Sequence, residues 1–164
     1  GAKRIAHIGG PLNLKIYQNR LAGYFKALER AGLEICDSLV IHNSLTRKDG
    51  TIAAQKLFQN ENKPDAIFCA NDTTALSTII YLKNIGLKVP DDVLIVGFSN
   101  EPFSEVVTPS ISTIKHPGFS MGRKAAELII HQINEKVTRA VFETITMPTE
   151  LIIRDSSKRI KIEK

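Results

Sequence analysis

Pro64-Asp65-Ala66-Ile67-Phe68-Cys69-Ala70-Asn71-Asp72 is the stretch that decides the fold class. Lys63-Pro64 breaks the preceding segment, and the run through Ala70 is apolar without alternation. That is the pattern of a strand buried on both faces of a parallel sheet. Asn71 and Asp72 are N-cap residue types, so the strand passes directly into a helix. The helix reads on to about Asn84, with Leu76, Ile79, Ile80 and Lys83 along one face and Gly86 closing it. Val89-Pro90-Asp91-Asp92 is a turn, and Val93-Leu94-Ile95-Val96-Gly97-Phe98 is a second buried strand.

Toward the N-terminus the same rhythm repeats. Ile5-Ala6-His7-Ile8 is a short apolar run ended by the loop signal Gly9-Gly10-Pro11. Leu21, Tyr24, Phe25 and Leu28 recur at i, i+3, i+4 and i+7, predicting a helix from about Ile16 to Ala31 that stops at Gly32. Ile35 to Ile41 reads as another strand, and Asp49-Gly50 opens a helix with Ala53–Leu57 and Ala54–Phe58 as i,i+4 pairs. The class is α/β, a parallel sheet flanked by helices. Ligands of such sheets bind beyond the carboxyl ends of the strands. Here those ends are Gly9-Gly10, His42-Asn43, Asn71-Asp72 and Ser99-Asn100.

Beyond Ser99 the rhythm changes. Ile111-Ser112-Thr113-Ile114 is a short alternating stretch, and Pro117-Gly118 precedes a helix from about Ser120 to Asn134. Met121, Ala125, Leu128 and Gln132 mark its stripe, with Ile129 and Ile133 beside it. Val141 to Met147 and Glu150 to Ile153 read as closing strands separated by Pro148.

The 164 residues are 43% hydrophobic and 24% charged, which suits one domain with a buried core and argues against a disordered chain. No apolar run approaches the ~18 residues that span a membrane. Much of the net charge of +5 sits in the last residues, Lys158 to Lys164, which read as a solvated tail. No helix-turn-helix, zinc or stacking-aromatic pattern accompanies it. Cys36 and Cys69 form no CxxC pair, and Cys69 reads as an inert strand residue. Gly1 to His7 runs straight into a strand, so no leader is read at this start; the reading is a cytoplasmic protein or a cut chain.

Tests for catalysis fail one by one. Gly9-Gly10-Pro11-Leu12-Asn13-Leu14 lacks dinucleotide spacing, and Gly97-Phe98-Ser99-Asn100-Glu101 lacks the nucleophile elbow. Ser99 with His116 and Asp72 would make a triad in the order Asp, Ser, His, without elbow geometry. No histidine has a partner at metal-ligand spacing. His7 reads as a satisfied strand histidine, His131 as solvent-facing, and His116 marks the exit from the main sheet. The expectation is a binding protein with no enzyme activity, metal or cofactor. Arg20 offers a planar fork of donors to hydroxyls or a carboxylate, Asn71 donates and accepts together, and Ser99 ends a strand. Arg20 also reads as a surface helix residue, and Asn71 and Asp72 as helix caps.

Arg4-Ile5-Ala6-His7-Ile8-Gly9-Gly10-Pro11, Arg20-Leu21-Ala22-Gly23-Tyr24, Pro64 to Asp72, Gly86-Leu87-Lys88-Val89-Pro90-Asp91-Asp92-Val93, Thr108-Pro109-Ser110-Ile111-Ser112-Thr113-Ile114, Met121-Gly122-Arg123-Lys124-Ala125-Ala126-Glu127-Leu128 and Glu150-Leu151-Ile152-Ile153-Arg154-Asp155-Ser156 follow in the order and spacing of one family. Together they resemble the lac repressor/gal repressor (LacI/GalR) type of bacterial transcription regulator over nearly the whole chain. That family joins an N-terminal helix-turn-helix to a two-lobed core like that of periplasmic sugar-binding proteins of type I. The resemblance implies that residues 1–113 are the C-terminal lobe and that 114–140 cross to a helix packed in the N-terminal lobe. Residues 141–155 would return and 156–164 form a basic tail, with the DNA-binding headpiece and most of the N-terminal lobe absent from this chain.

By the same resemblance Arg20, Asn71, Asp72 and Ser99 are ligand-binding, His116 is a hinge residue, and Leu76, Ile79, Ile80 and Val107 form a homodimer interface. The implied partners are a small sugar-like effector, a second copy, and operator DNA through the headpiece, with no membrane. Two departures matter. Ser99 stands where the family has aspartate, which leaves Arg20 less neutralised and predicts an acidic effector such as a sugar acid. His116 stands where the family has glutamine. The helix from Met121 to Ile133 is expected to lack partners on its own chain. The alternative reading is a periplasmic sugar-binding protein of an uptake system.

Overall fold

Parallel pairing starts from β1 (Ile5–Gly9), whose Ile8 stands opposite Cys69 of β3 (Ala66–Cys69) on one side and Ile41 of β2 (Val40–His42) on the other. β4 (Leu94–Val96) adds beyond β3, with Ile67 opposite Ile95, giving the all-parallel order β2-β1-β3-β4. The computed structural model describes residues 1–59, 61–134 and 144–159.

Alternate strand residues are buried on opposite faces. His7 and Phe68 face α1 (Lys15–Ala31), where the His7 ring lies stacked between Tyr24 and Phe68. Ala6, Ile8, Ile67, Cys69 and Ile95 face the main core, built with Ala53 and Leu57 of α2 (Arg47–Gln59) and Ala75, Ile79 and Leu82 of α3 (Asp72–Asn84). α1 ends at Gly32, whose φ of 64° is the left-handed conformation glycine adopts without cost. Thr46 and Asp49 cap α2 reciprocally, each backbone N–H donating to the other's side chain, so α2 begins before the Asp49-Gly50 start expected. The second strand is likewise shorter than Ile35 to Ile41, because Asp37–Leu39 winds into a 3-10 turn.

After β4 come α4 (Phe103–Val106), β5 (Thr113–Lys115), α5 (Gly118–Asn134) and β6 (Glu150–Ile152), with β5 and β6 an antiparallel ribbon. Ser112 bridges to Val96, and the Gly97 N–H donates to the Ser112 carbonyl at 2.8 Å, so the ribbon begins as a continuation of the main sheet. Of the expected strand from Val141 to Met147, residues 141–143 lie outside the described residues and 144–147 form no strand. The tail beyond Arg159 also lies outside them.

No residue of α5 is buried: Met121, Ile129 and Ile133 are 52%, 58% and 69% exposed. The expectation that this helix would find no packing partner on its own chain agrees with that exposure. Among the described residues no helix is long and apolar enough to cross a membrane.

Candidate functional site

The strand order creates the site. β1 leads outward through α1 on one face, and β3 leads outward the other way through α3 on the opposite face. The connections after β1 and β3 therefore diverge, leaving a crevice at their carboxyl ends.

Arg20, in the first half of α1, lies at this crevice half-buried. Its Nη1 donates to the Ala70 carbonyl at 2.6 Å, and its guanidinium lies 3.6 Å from the centroid of the Phe98 ring. Burial lowers its pKa from the ordinary arginine value. No carboxylate among the described residues comes within 4 Å of it. Beside it opens a cleft of about 870 Å3 walled by Phe68, Phe98, Ile16, Tyr24 and Ile114, with His116 at its rim. The cation thus faces a largely apolar space.

Asn71 caps α3 at the carboxyl end of β3, and it is not among the residues that wall the cleft. Its Oδ1 accepts from the Thr74 N–H at 2.8 Å, and its Nδ2 donates to the Leu45 carbonyl at 3.1 Å. One amide hydrogen remains for a ligand.

Asp72, expected as a ligand contact, is fully buried. Its carboxylate accepts from the Thr113 hydroxyl at 2.7 Å and from the Glu101 N–H at 2.8 Å, so it fastens the β4–α4 turn from below. A ligand in the cleft has no access to it. The same bonds exclude a Ser99–His116–Asp72 relay.

Ser99 sits in that turn. Its N–H donates to the Ile114 carbonyl at 2.9 Å, and its φ is 117°, with Asn100 following at 55°. Two successive non-glycine residues at positive φ hold stored strain, which collects at functional turns. His116 is exposed, its ring set edge-on to Phe98 with the centroids 6.5 Å apart.

Of the four expected interface residues, Ile80 is exposed, at 37%. Ile79 is core, because its side of α3 faces the sheet, and Leu76 and Val107 are partly buried against the same core. Val106, next to Val107, is 80% exposed.

His7 is half satisfied. Its Nδ1 donates to the Phe68 carbonyl at 3.1 Å, while Nε2 is buried without a partner. Burial lowers its pKa to about 4. Cys69 is sealed in the core, and burial pushes its thiol up to about 12. Phe98 and Arg154 stand in stretches the sequence singled out, but no role was assigned to either. Their signals were an aromatic ending an apolar strand and a lone arginine after Leu151-Ile152-Ile153.

Residues 1–157 match the periplasmic binding protein-like domain family. Among curated proteins, the chain is 32% identical to the HTH-type transcriptional repressor PurR of Vibrio campbellii over 161 residues, 98% of this chain and 47% of that protein. It is 34% identical to the HTH-type transcriptional repressor CytR of Escherichia coli over 160 residues, 98% of this chain and 46% of that one. The chain therefore spans about half the length of the curated relatives it matches. Among solved structures it superposes on a complex of the transcriptional regulator CelR with cellobiose at a TM-score of 0.89 and 32% identity, covering 96% of this chain and 47% of that one. A putative transcriptional regulator LacI from Bacillus cereus subsp. cytotoxis gives 0.90 and 30%, covering 96% and 55%. With fold, crevice and motif order agreeing, the chain belongs to the periplasmic binding protein-like domain family, in the form carried by LacI-type transcriptional regulators.

Proposed function

We propose that this chain is the effector-binding and dimerising region of a bacterial DNA-binding regulator, and that its effector is a small sugar acid. The observation that carries the reading is Arg20. Its guanidinium stands half-buried at the crevice, stacked on Phe98, with no carboxylate partner among the described residues. Ser99 occupies the place where the resemblance puts an aspartate. A ligand carboxylate supplies the missing charge and matches the guanidinium fork. The cellobiose-bound relative supports a carbohydrate body for the ligand.

The repressor relatives support operator DNA as the partner of a headpiece outside this chain, and favour a regulator over an uptake protein. Arg20, Asn71 and Ser99 contribute this lobe's contacts, and His116 lies where the chain leaves it. Effector binding then biases the arrangement of two lobes only by its differential affinity for them. A second copy pairs through the face that carries Ile80 and Val106.

Thermal unfolding of the full-length protein against D-glucuronate, D-gluconate, D-glucose and cellobiose tests this. A ligand at ~100 times its dissociation constant stabilises by roughly 2.7 kcal/mol. The proposal expects a shift with the acids that disappears in Arg20→Ala; a shift with the neutral sugars alone refutes the acidic effector.

A further inference from the structure

The turn from Ser99 to Glu101 is held from three sides. Asp72 takes the Glu101 N–H from below, and Thr113 takes the Asn100 N–H at 3.2 Å from β5. The third tie is Arg154, which follows β6. Its Nη2 donates to Asn100 Oδ1 at 2.9 Å, and its Nη1 donates to the Ile111 carbonyl at 2.9 Å and the Ser104 hydroxyl at 3.1 Å. Its backbone is itself fixed, the N–H donating to Ser112 Oγ at 2.7 Å and the carbonyl accepting from that hydroxyl at 3.0 Å.

No carboxylate among the described residues lies within 4 Å of this guanidinium. Three of its five N–H donors go to neutral acceptors belonging to the turn, to α4 and to the approach to β5. A planar fork with fixed donor directions makes such a junction, and a lysine ammonium does not reproduce it. The positive φ values of Ser99 and Asn100 persist only where surrounding bonds impose them. Arg154 lies two residues past the end of the β5–β6 ribbon, and β5 runs on into α5.

We infer that Arg154 is a positioning residue of the effector site, fixing the Ser99–Asn100 turn to the β5–β6 ribbon so that Ser99 keeps its place beside the Arg20–Phe98 stack. The inference rests on the effector site proposed above. It makes the ribbon that leads to α5 and the turn that borders the ligand move as one piece.

The test uses the full-length protein as parent, Arg154→Lys, Asn100→Ala and the double variant. Hydrogen exchange by mass spectrometry follows peptides covering residues 97–103 and, separately, α3. Calorimetry measures D-glucuronate binding on the same proteins. Losing a charge-assisted hydrogen bond should speed exchange in the turn by about tenfold, with α3 unchanged. Either single variant should weaken D-glucuronate by about tenfold, and the double variant should be no worse than the singles, because both break one link. An unchanged turn, turn and α3 exchanging faster together, additive effects, or unaltered D-glucuronate affinity with a freed turn would each overturn the inference. A parent that binds no D-glucuronate counts against the sugar-acid reading, and the exchange comparison then decides alone whether Arg154 holds the turn.

Discussion

Acidification should unfold this chain partly through one buried histidine. His7 is fully buried between the rings of Tyr24 and Phe68, at centroid distances of 5.2 and 5.0 Å. Desolvation is the largest cause of its lowered pKa, and nearby His42 and Arg20 add to it against the opposing bond to the Phe68 carbonyl. The folded-state value is about 4, against 6.5 for the free side chain. Between those values the unfolded chain binds a proton that the folded chain refuses, so stability rises with pH across that window. The contribution is complete above about pH 6.5, falls progressively toward pH 4, and levels off below it. At about 1.4 kcal/mol per unit, the loss amounts to roughly 3 kcal/mol. Urea denaturation at half-unit steps from pH 7.5 to 4 measures it. Carboxylates titrate in the lower half of the range, so His7→Phe serves as the reference. That variant keeps the stacked shape, gives up the bond to Phe68, and costs about 1 kcal/mol at pH 7. Toward pH 4 the gap should close and reverse, leaving the variant the more stable protein. Parallel curves for the two proteins would refute the reasoning.

Further expectations concern packing and the turn. Asp72→Asn weakens the ties to Thr113 and Glu101 and should lower stability by about 2 kcal/mol in urea denaturation at pH 7. Gly97→Ala would drive a methyl into the Asp72 carboxylate and should cost about 1–3 kcal/mol by the same measurement. Ile79→Ala should cost about 2–5 kcal/mol as a core truncation, whereas Ile80→Ala, at a side chain 37% exposed, should cost about 1 kcal/mol. Sedimentation velocity on Ile80→Glu should show weakened self-association if the exposed face of α3 pairs with a second copy.

The legible part of this protein is the part fixed by local patterning. Ala66 to Cys69 read as a buried strand because nothing in it alternates, and Asn71 announced the helix that follows; Leu94 to Val96 read the same way, yet only Ile95 is buried there and Leu94 and Val96 are half-buried. Arg20 stood out in the sequence through its place near the carboxyl end of the first strand, and the structure sets its guanidinium against Phe98. What escaped depends on tertiary direction. Asp72 looks in sequence like a second cap or a ligand group, and only its contacts with Thr113, 41 residues away, make it a buried tie. Ile79 and Ile80 are equivalent as hydrophobes, yet one turns toward the sheet and the other toward solvent. Arg154 lies 54 residues from Asn100, so no spacing rule could join them.

The most direct test of the account is calorimetric titration of D-glucuronate and D-glucose into the full-length protein, its Arg20→Ala variant and its Ser99→Asp variant. The account predicts that the parent binds the acid, that Arg20→Ala loses it, and that Ser99→Asp weakens the acid by at least tenfold while D-glucose binding holds or improves, because a carboxylate beside Arg20 would neutralise the guanidinium reserved for the ligand. Undiminished D-glucuronate binding in both variants would contradict it.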